Sequence, residues 1–327
     1  MMALRTWLVF LLMGAAHAAP RQKGIALGLF AEDPGWSYRS LLKEIAQTGA
    51  TDVELVIPWY QSDVEATQLF LHPRFSPTDE ALVRTIREAH ALGLKVLLFP
   101  IVRLTSTHRA NEWRGTLRPA DPAAWMRNYT AHLVSLARLA AQENVAALSI
   151  GSELSTLDVE EKFWRELIAR VRTQFSGQLL YSANWDHLDE VGFAADLDLL
   201  GLNAYFELGE SEDADLAALV RAWIPVKARV SAWAGSHGKP LYFTEVGFPS
   251  VRGGARWPWD YTREGAVDLG VQSRAYQAFL ETWWSDPAVA GLTFYELWGD
   301  GGADDNGYTP WDKPAASVLG AFYRSSW

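Results

Sequence analysis

The sequence predicts a single-domain (β/α)8 TIM barrel of the α/β class, and three observations carry that prediction. Eight short apolar runs alternate with longer amphipathic stretches from Lys23 onward. The short runs are apolar on both faces, as strands of a parallel sheet covered on either side must be. The chain has 327 residues, enough for a barrel of about 250 residues with extended loops. A doubly wound open sheet produces the same alternation and is the rival reading. It usually carries a glycine-rich phosphate loop after its first strand. Here the first run passes instead into Phe30-Ala31-Glu32-Asp33-Pro34.

The elements follow in order. The first strand is expected at 24–30 and a helix at 37–48. Strand two, 52–59, ends in Pro58-Trp59-Tyr60. The next helix, 78–92, opens on Ser76-Pro77-Thr78-Asp79-Glu80, where a capping hydroxyl and early acids satisfy free N–H groups and the helix dipole, and Gly93 stops it. Strand three, 95–102, leads into Arg103. The helix at 122–142 has a capping Asp121 before Pro122, whose missing N–H costs nothing in a first turn. Strand four, 146–151, runs into Ser152-Glu153, and a helix follows at 159–175. Strand five, 178–183, runs into Asn184-Trp185, and the pattern for its helix, within 187–195, is weak. Strand six, 197–203, ends at Asn203 just before Tyr205, with a helix at 215–237. Strand seven, 240–244, runs into Glu245, with a helix at 271–284. Strand eight, 290–298, ends on Trp298, and 314–323 reads as a last short helix. No linker or low-complexity tract divides 19–327, which is expected to be one catalytic domain.

The start of the chain differs from the rest. A positive charge at Arg5, the apolar run from Trp7 to Ala16 and the Ala16-His17-Ala18 pattern read as a signal peptide over 1–18. The apolar run is too short for a bilayer span, which needs roughly 20 residues. The expected location is therefore secreted or periplasmic, with no membrane span once the peptide is removed. There is no cysteine, which rules out lipid anchoring at the cleavage site, thiol catalysis and thiolate metal sites. The net charge of −10 gives no electrostatic reason to bind nucleic acid. A monomer without cofactor or metal is expected.

Sixteen Trp, eleven Tyr and fourteen Phe suit sugar rings, whose C–H faces stack on flat apolar surfaces, although core packing accounts for many of them. Trp164, Trp223, Trp283 and Trp284 fall within expected helices and read as core. Trp59, Trp185, Trp257, Trp259 and Trp298 fall at strand ends or in the loops beyond. There, packing and sugar stacking are equally open for each one.

In such a barrel, catalytic groups come from the C-terminal ends of the strands. Glu153 and Glu245 end strands four and seven, on opposite sides of the mouth. A carboxylate at the end of an apolar strand is costly unless paired or functional. Retaining glycosidases need two such acids about 5–5.5 Å apart, one attacking the anomeric carbon and one protonating the leaving oxygen. Glu296 reads as supporting or outward-facing. Arg103 could bind a substrate hydroxyl or steady a carboxylate. The seven His show no H-x-H or H-E-x-x-H spacing, and G-x-S-x-G is absent, which argues against metal and serine hydrolysis. Asp304-Asp305-Asn306-Gly307 fails the calcium-loop pattern, because alignment on Gly307 puts Gly302 first and Lys313 last. A substrate loop is the expectation there.

Acids ending strands four and seven resemble those of the clan A retaining glycosidases. Within that clan, Lys23-Gly24-Ile25-Ala26-Leu27-Gly28, the SIGSELS stretch around Glu153 and the YFTEVGF stretch around Glu245 are similar to glycoside hydrolase family 113, known mainly for β-1,4-mannan hydrolysis. The resemblance implies a β-mannanase-like, endo-acting enzyme with Glu153 as acid/base and Glu245 as nucleophile. It also implies that Tyr205 orients the nucleophile and that Trp298 forms a floor under the sugar. One position departs from the clan: Ser152 stands where many members have an Asn that binds the sugar 2-hydroxyl, leaving that contact to Asn184, Asn203 or a water. The alternatives are a transglycosylase and a sugar-binding barrel that has lost turnover. Retention of both glutamates favours the enzyme.

Overall fold

The computed structural model describes residues 21–297 and 301–325. The expected signal peptide and Trp298 lie outside these residues. Eight parallel strands close in chain order into one barrel, with β1 (Gln22–Gly28) hydrogen-bonded to both β2 (Asp52–Gln61) and β8 (Val289–Leu297). Between them run β3 (Lys95–Leu104), β4 (Ala147–Ser152), β5 (Gln178–Ala183), β6 (Leu199–Asn203) and β7 (Leu241–Val246). The helices are α1 (Arg39–Thr48), α2 (Asp79–Ala91), α3 (Pro122–Gln142), α4 (Glu161–Arg172), α5 (Leu216–His237), α6 (Leu269–Trp283) and α7 (Pro314–Arg324). The expected caps are present. Thr78 Oγ1 accepts the Ala81 N–H at 3.1 Å and Asp121 Oδ1 accepts that of Ala124 at 2.9 Å.

No α-helix forms between β5 and β6. The weakly patterned segment folds into two 3-10 turns, Leu188–Glu190 and Ala194–Asp196. It has no sustained apolar stripe with which to cover two strands, so local turns replace the helix.

The apolar core has two layers. Inside the barrel, Ala26, Val56, Leu97, Phe99, Leu180 and Tyr242 pack together. Outside it, the helices bury Trp125, Trp164, Trp223 and Trp283 completely against the strands. Side chains alternate between these layers, so one residue of register decides which layer a side chain joins. On β2, Val56 faces the interior, and Leu55, Ile57 and Trp59 join the outer layer.

The strands are unequally regular. β2 and β3 pair without interruption from Asp52↔Lys95 to Gln61↔Leu104. By contrast, the register shifts between Ser149 and Ser152 on β4, between Phe243 and Val246 on β7, and where β8 passes β1 at Tyr295-Glu296. These three lie toward the C-terminal ends of their strands, and a further shift, between Leu241 and Tyr242, lies at the start of β7.

Candidate active site

Glu153 and Glu245 both reach the mouth through broken register. On β7, Leu202 pairs with Phe243 and Asn203 with Glu245, so Thr244 is the extra residue. Bulges of this kind re-aim side chains. Thr244 stays inward, with its hydroxyl bonded to Asn203 Oδ1 at 2.8 Å, and Glu245 follows at the rim. On β4, Glu153 takes a left-handed backbone conformation with φ of 52°. A non-glycine residue holds that conformation only when its surroundings impose it. Here they do. The Glu153 N–H bonds to the Ser182 carbonyl at 2.9 Å, and the Leu154 N–H bonds to the Tyr181 hydroxyl at 2.8 Å. That hydroxyl in turn donates to buried Asp158.

Both acids are buried, Glu153 at 5 % exposure and Glu245 at 2 %. Their partners differ. Arg114 Nη2 lies 2.5 Å from Glu153 Oε2, whereas Tyr205 donates its hydroxyl to Glu245 Oε2 at 2.8 Å. Burial, and next the charge of Glu153, push the Glu245 carboxyl up to about 8, against the pull of Arg114 and Tyr205. Two carboxyls in one dry pocket do not ionise together easily, so the pair retains one proton at neutral pH.

Two further acids face the same space. Burial pushes Glu296 up to about 7, opposed by the Tyr295 hydroxyl and by Arg103 and Arg114. Of the two readings the sequence left open for Glu296, supporting or outward-facing, the second is excluded, because the β8 irregularity turns it toward the mouth. Glu54 lies deeper, on β2. Burial first, then the charge of Glu245, raises its carboxyl well above the usual range.

The other residues singled out from sequence divide into two groups. Arg103 stands at the mouth, with its guanidinium 5.3 Å from the Phe30 ring centroid and 6.0 Å from that of Tyr60. Asn203 lies in the interior, where its Oδ1 also accepts the Ser182 hydroxyl at 2.5 Å. Its Nδ2 and the Ser152 hydroxyl are buried without a hydrogen-bond partner among the described residues. Asn184 is buried at the end of β5, and its Oδ1 accepts the Trp185 N–H at 2.9 Å. Trp185 itself packs edge-on against Phe206 at 5.7 Å.

Two tryptophans are placed otherwise than a sugar-stacking role requires. Trp59 faces out of the barrel and is buried against Tyr129 and His132 of α3, at 5.7 and 5.6 Å. Strand alternation places Tyr60, one residue on, at the mouth. Trp257, in the loop after β7, has the guanidiniums of Arg256 and Arg263 over its ring at 4.3 and 4.0 Å. The segment 300–312, expected as a substrate loop, is, as far as it is described, organised by a lysine. Lys313 Nζ bonds Asp305 Oδ1 and the Gly307 carbonyl, each at 3.0 Å, and Ser250 Oγ at 2.9 Å.

Three residues of the site have no signal in the sequence. Arg114 comes from the loop before α3. Tyr295 and Tyr308 stand beside Tyr205, with ring centroids 6.3 and 6.2 Å from it. They converge through loop geometry and the β8 irregularity, which one-dimensional spacing does not encode.

The model of Glycoside Hydrolase Family 113 matches residues 31–306. Among solved structures, the chain is similar to a family 113 β-mannanase from Alicyclobacillus acidocaldarius, with a TM-score of 0.82 and 27 % identity over 93 % of this chain and 97 % of that one. It is similar as well to a family 113 β-1,4-mannanase with a TM-score of 0.83 and 25 % identity over 93 % and 99 % of the two chains. A β-D-glucuronidase from Dictyoglomus thermophilum, 13 % identical with a TM-score of 0.66 over half of its own length, shares the fold. No curated protein matches the chain.

Proposed function

The chain belongs to glycoside hydrolase family 113, and from that premise we propose that it hydrolyses a β-linked, mannan-type glycan with retention, through a glycosyl-enzyme. The observation that carries this reading is the asymmetric pair of buried acids, Glu245 held by the Tyr205 hydroxyl and Glu153 facing it across the mouth. Glu245 supplies the electron pair that forms the bond to the anomeric carbon. Glu153 gives its proton to the departing glycosidic oxygen, and the bond between that oxygen and the anomeric carbon breaks. In the second half-reaction Glu153 takes a proton from water as the water oxygen displaces Glu245. Arg103, Tyr295 and Tyr60 border the space where sugar hydroxyls would lie. The mannan-type substrate and cleavage within the chain are inferred from the family 113 mannanases. Export is inferred from the pattern of residues 1–18.

The test is to incubate residues 19–327 with mannan, glucan, galactan and their oligosaccharides beside Glu153→Gln and Glu245→Gln. Retained anomeric configuration and release of sugar should be seen with the parent enzyme. Each substitution should lower kcat by about 10²-fold or more, as removal of a proton-transfer group does. Tight binding by all three proteins with no release from any substrate would replace the enzyme by a sugar-binding barrel.

A further inference from the structure

The loop between β3 and α3 is built to aim Arg114 at Glu153. Thr116 closes a single turn on Trp113. It receives the Trp113 N–H at 3.1 Å and returns its hydroxyl and N–H to the Trp113 carbonyl at 3.0 and 2.9 Å. Thr156, three residues beyond Glu153, donates to the Leu117 carbonyl at 2.6 Å, so the loops bearing the two partners are tied together. The guanidinium carbon lies 5.6 Å from the Trp113 ring centroid. Its Nη2 ends 2.5 Å from Glu153 Oε2, with the two side chains 21 % and 6 % exposed.

Two features mark this contact as part of the site rather than a purely structural pair. The buried Nε–H of Arg114 has no acceptor among the described residues, although a buried donor normally has one. The guanidinium also acts on both acids, since its charge favours the ionised form of Glu245 as well as meeting Glu153.

We propose that Arg114 is a positioning residue that acts through Glu153, holding Oε2 so that the rest of the carboxyl is presented to the glycosidic oxygen of an entering substrate. This rests on the reading of Glu153 as acid/base. The same cation favours the ionised, attacking form of Glu245. The charged and titratable groups facing the pair are Arg103 on β3, Glu54 on β2, Tyr205 after β6, Tyr295 and Glu296 on β8, Tyr308 in the loop after β8, and Asp158 with His187 behind β4 and β5.

The test compares phenyl β-mannobioside, whose poor leaving group needs Glu153, with dinitrophenyl β-mannobioside, whose leaving group departs without a proton. Arg114→Ala should lower kcat/KM for the phenyl substrate about tenfold or more and for the dinitrophenyl substrate less than about threefold. The alkaline limb of the phenyl profile should move up by about half a pH unit or more, because removing a cation strengthens the hold of the acid pair on its proton. Arg114→Lys, which keeps the charge and guards against a folding defect, should restore the limb. Equal losses on both substrates, or a limb that stays in place, would overturn the inference. An inactive parent enzyme on both substrates would instead defeat the glycosidase reading, and this inference with it.

Discussion

The side of the barrel built on β2 and β3 differs from the side that carries the acids. Along β2 and β3 the register is unbroken over their whole length. Inside and outside residues alternate there, and, Glu54 apart, the side chains beneath the mouth pack as core. On β4, β7 and β8 the register slips near the mouth. Glu153 adopts a left-handed backbone, and buried carboxyls face one another. A regular ladder stabilises the fold, while the irregular ends hold groups that a stable core would exclude. Function here is assembled from local departures whose cost the regular side of the barrel offsets.

The largest stability effect expected from this contrast is at Trp59. Because it faces α3 rather than the mouth, Trp59→Ala should cost about 3–5 kcal/mol in denaturant unfolding and leave kcat/KM within about threefold. A stable variant with weakened substrate binding would break the comparison by placing the indole in the cleft.

Tyr181 sits on the irregular side and links Asp158 to the backbone just after Glu153. Tyr181→Phe leaves the Leu154 N–H and the Asp158 carboxyl without their partner, at about 1–3 kcal/mol. It should also lower kcat, since the left-handed turn at Glu153 loses a support. A loss of stability with unchanged kcat would show that the turn holds itself.

A third test is a slope with pH. Folding raises the carboxyls of Asp158 to about 6, Glu296 to about 7 and Glu245 to about 8, so the folded state binds protons that the unfolded chain releases near pH 4. Their contribution is complete below the unfolded values and is lost as pH rises through the folded ones. The denaturation midpoint should therefore fall between pH about 5 and about 9. Glu54→Gln, which removes another raised carboxyl, should flatten that fall. A midpoint that rises over this range would mean that the mouth acids are ionised and paired in the folded enzyme.

The strands, seven of the helices and both acids were legible because periodicity, caps and strand-end position are local properties of the chain. Arg103 and Tyr205 were legible for the same reason. Trp59 was assigned to the mouth because a strand end was treated as a point, whereas alternation sends neighbouring residues to opposite layers. Counting inward from Glu54 and Val56 would have selected Tyr60. Glu296 stayed open between a supporting and an outward-facing place for the converse reason, since an irregular strand breaks the alternation on which such counting depends. Arg114 carried no signal, because a loop of seventeen residues between β3 and α3 (105–121) can direct an arginine almost anywhere.

By itself the sequence determined the barrel, its strand order and the two glutamates, since these follow from hydrophobic period and from which residues close each strand. Only the tertiary structure decided which oxygen meets Arg114, which meets Tyr205, and that Glu54 and Glu296 share the space with Glu153 and Glu245. Those contacts join residues far apart in the chain, and they depend on register shifts of a single residue. Patterns of polarity along the chain do not record such shifts; the closing of the barrel does.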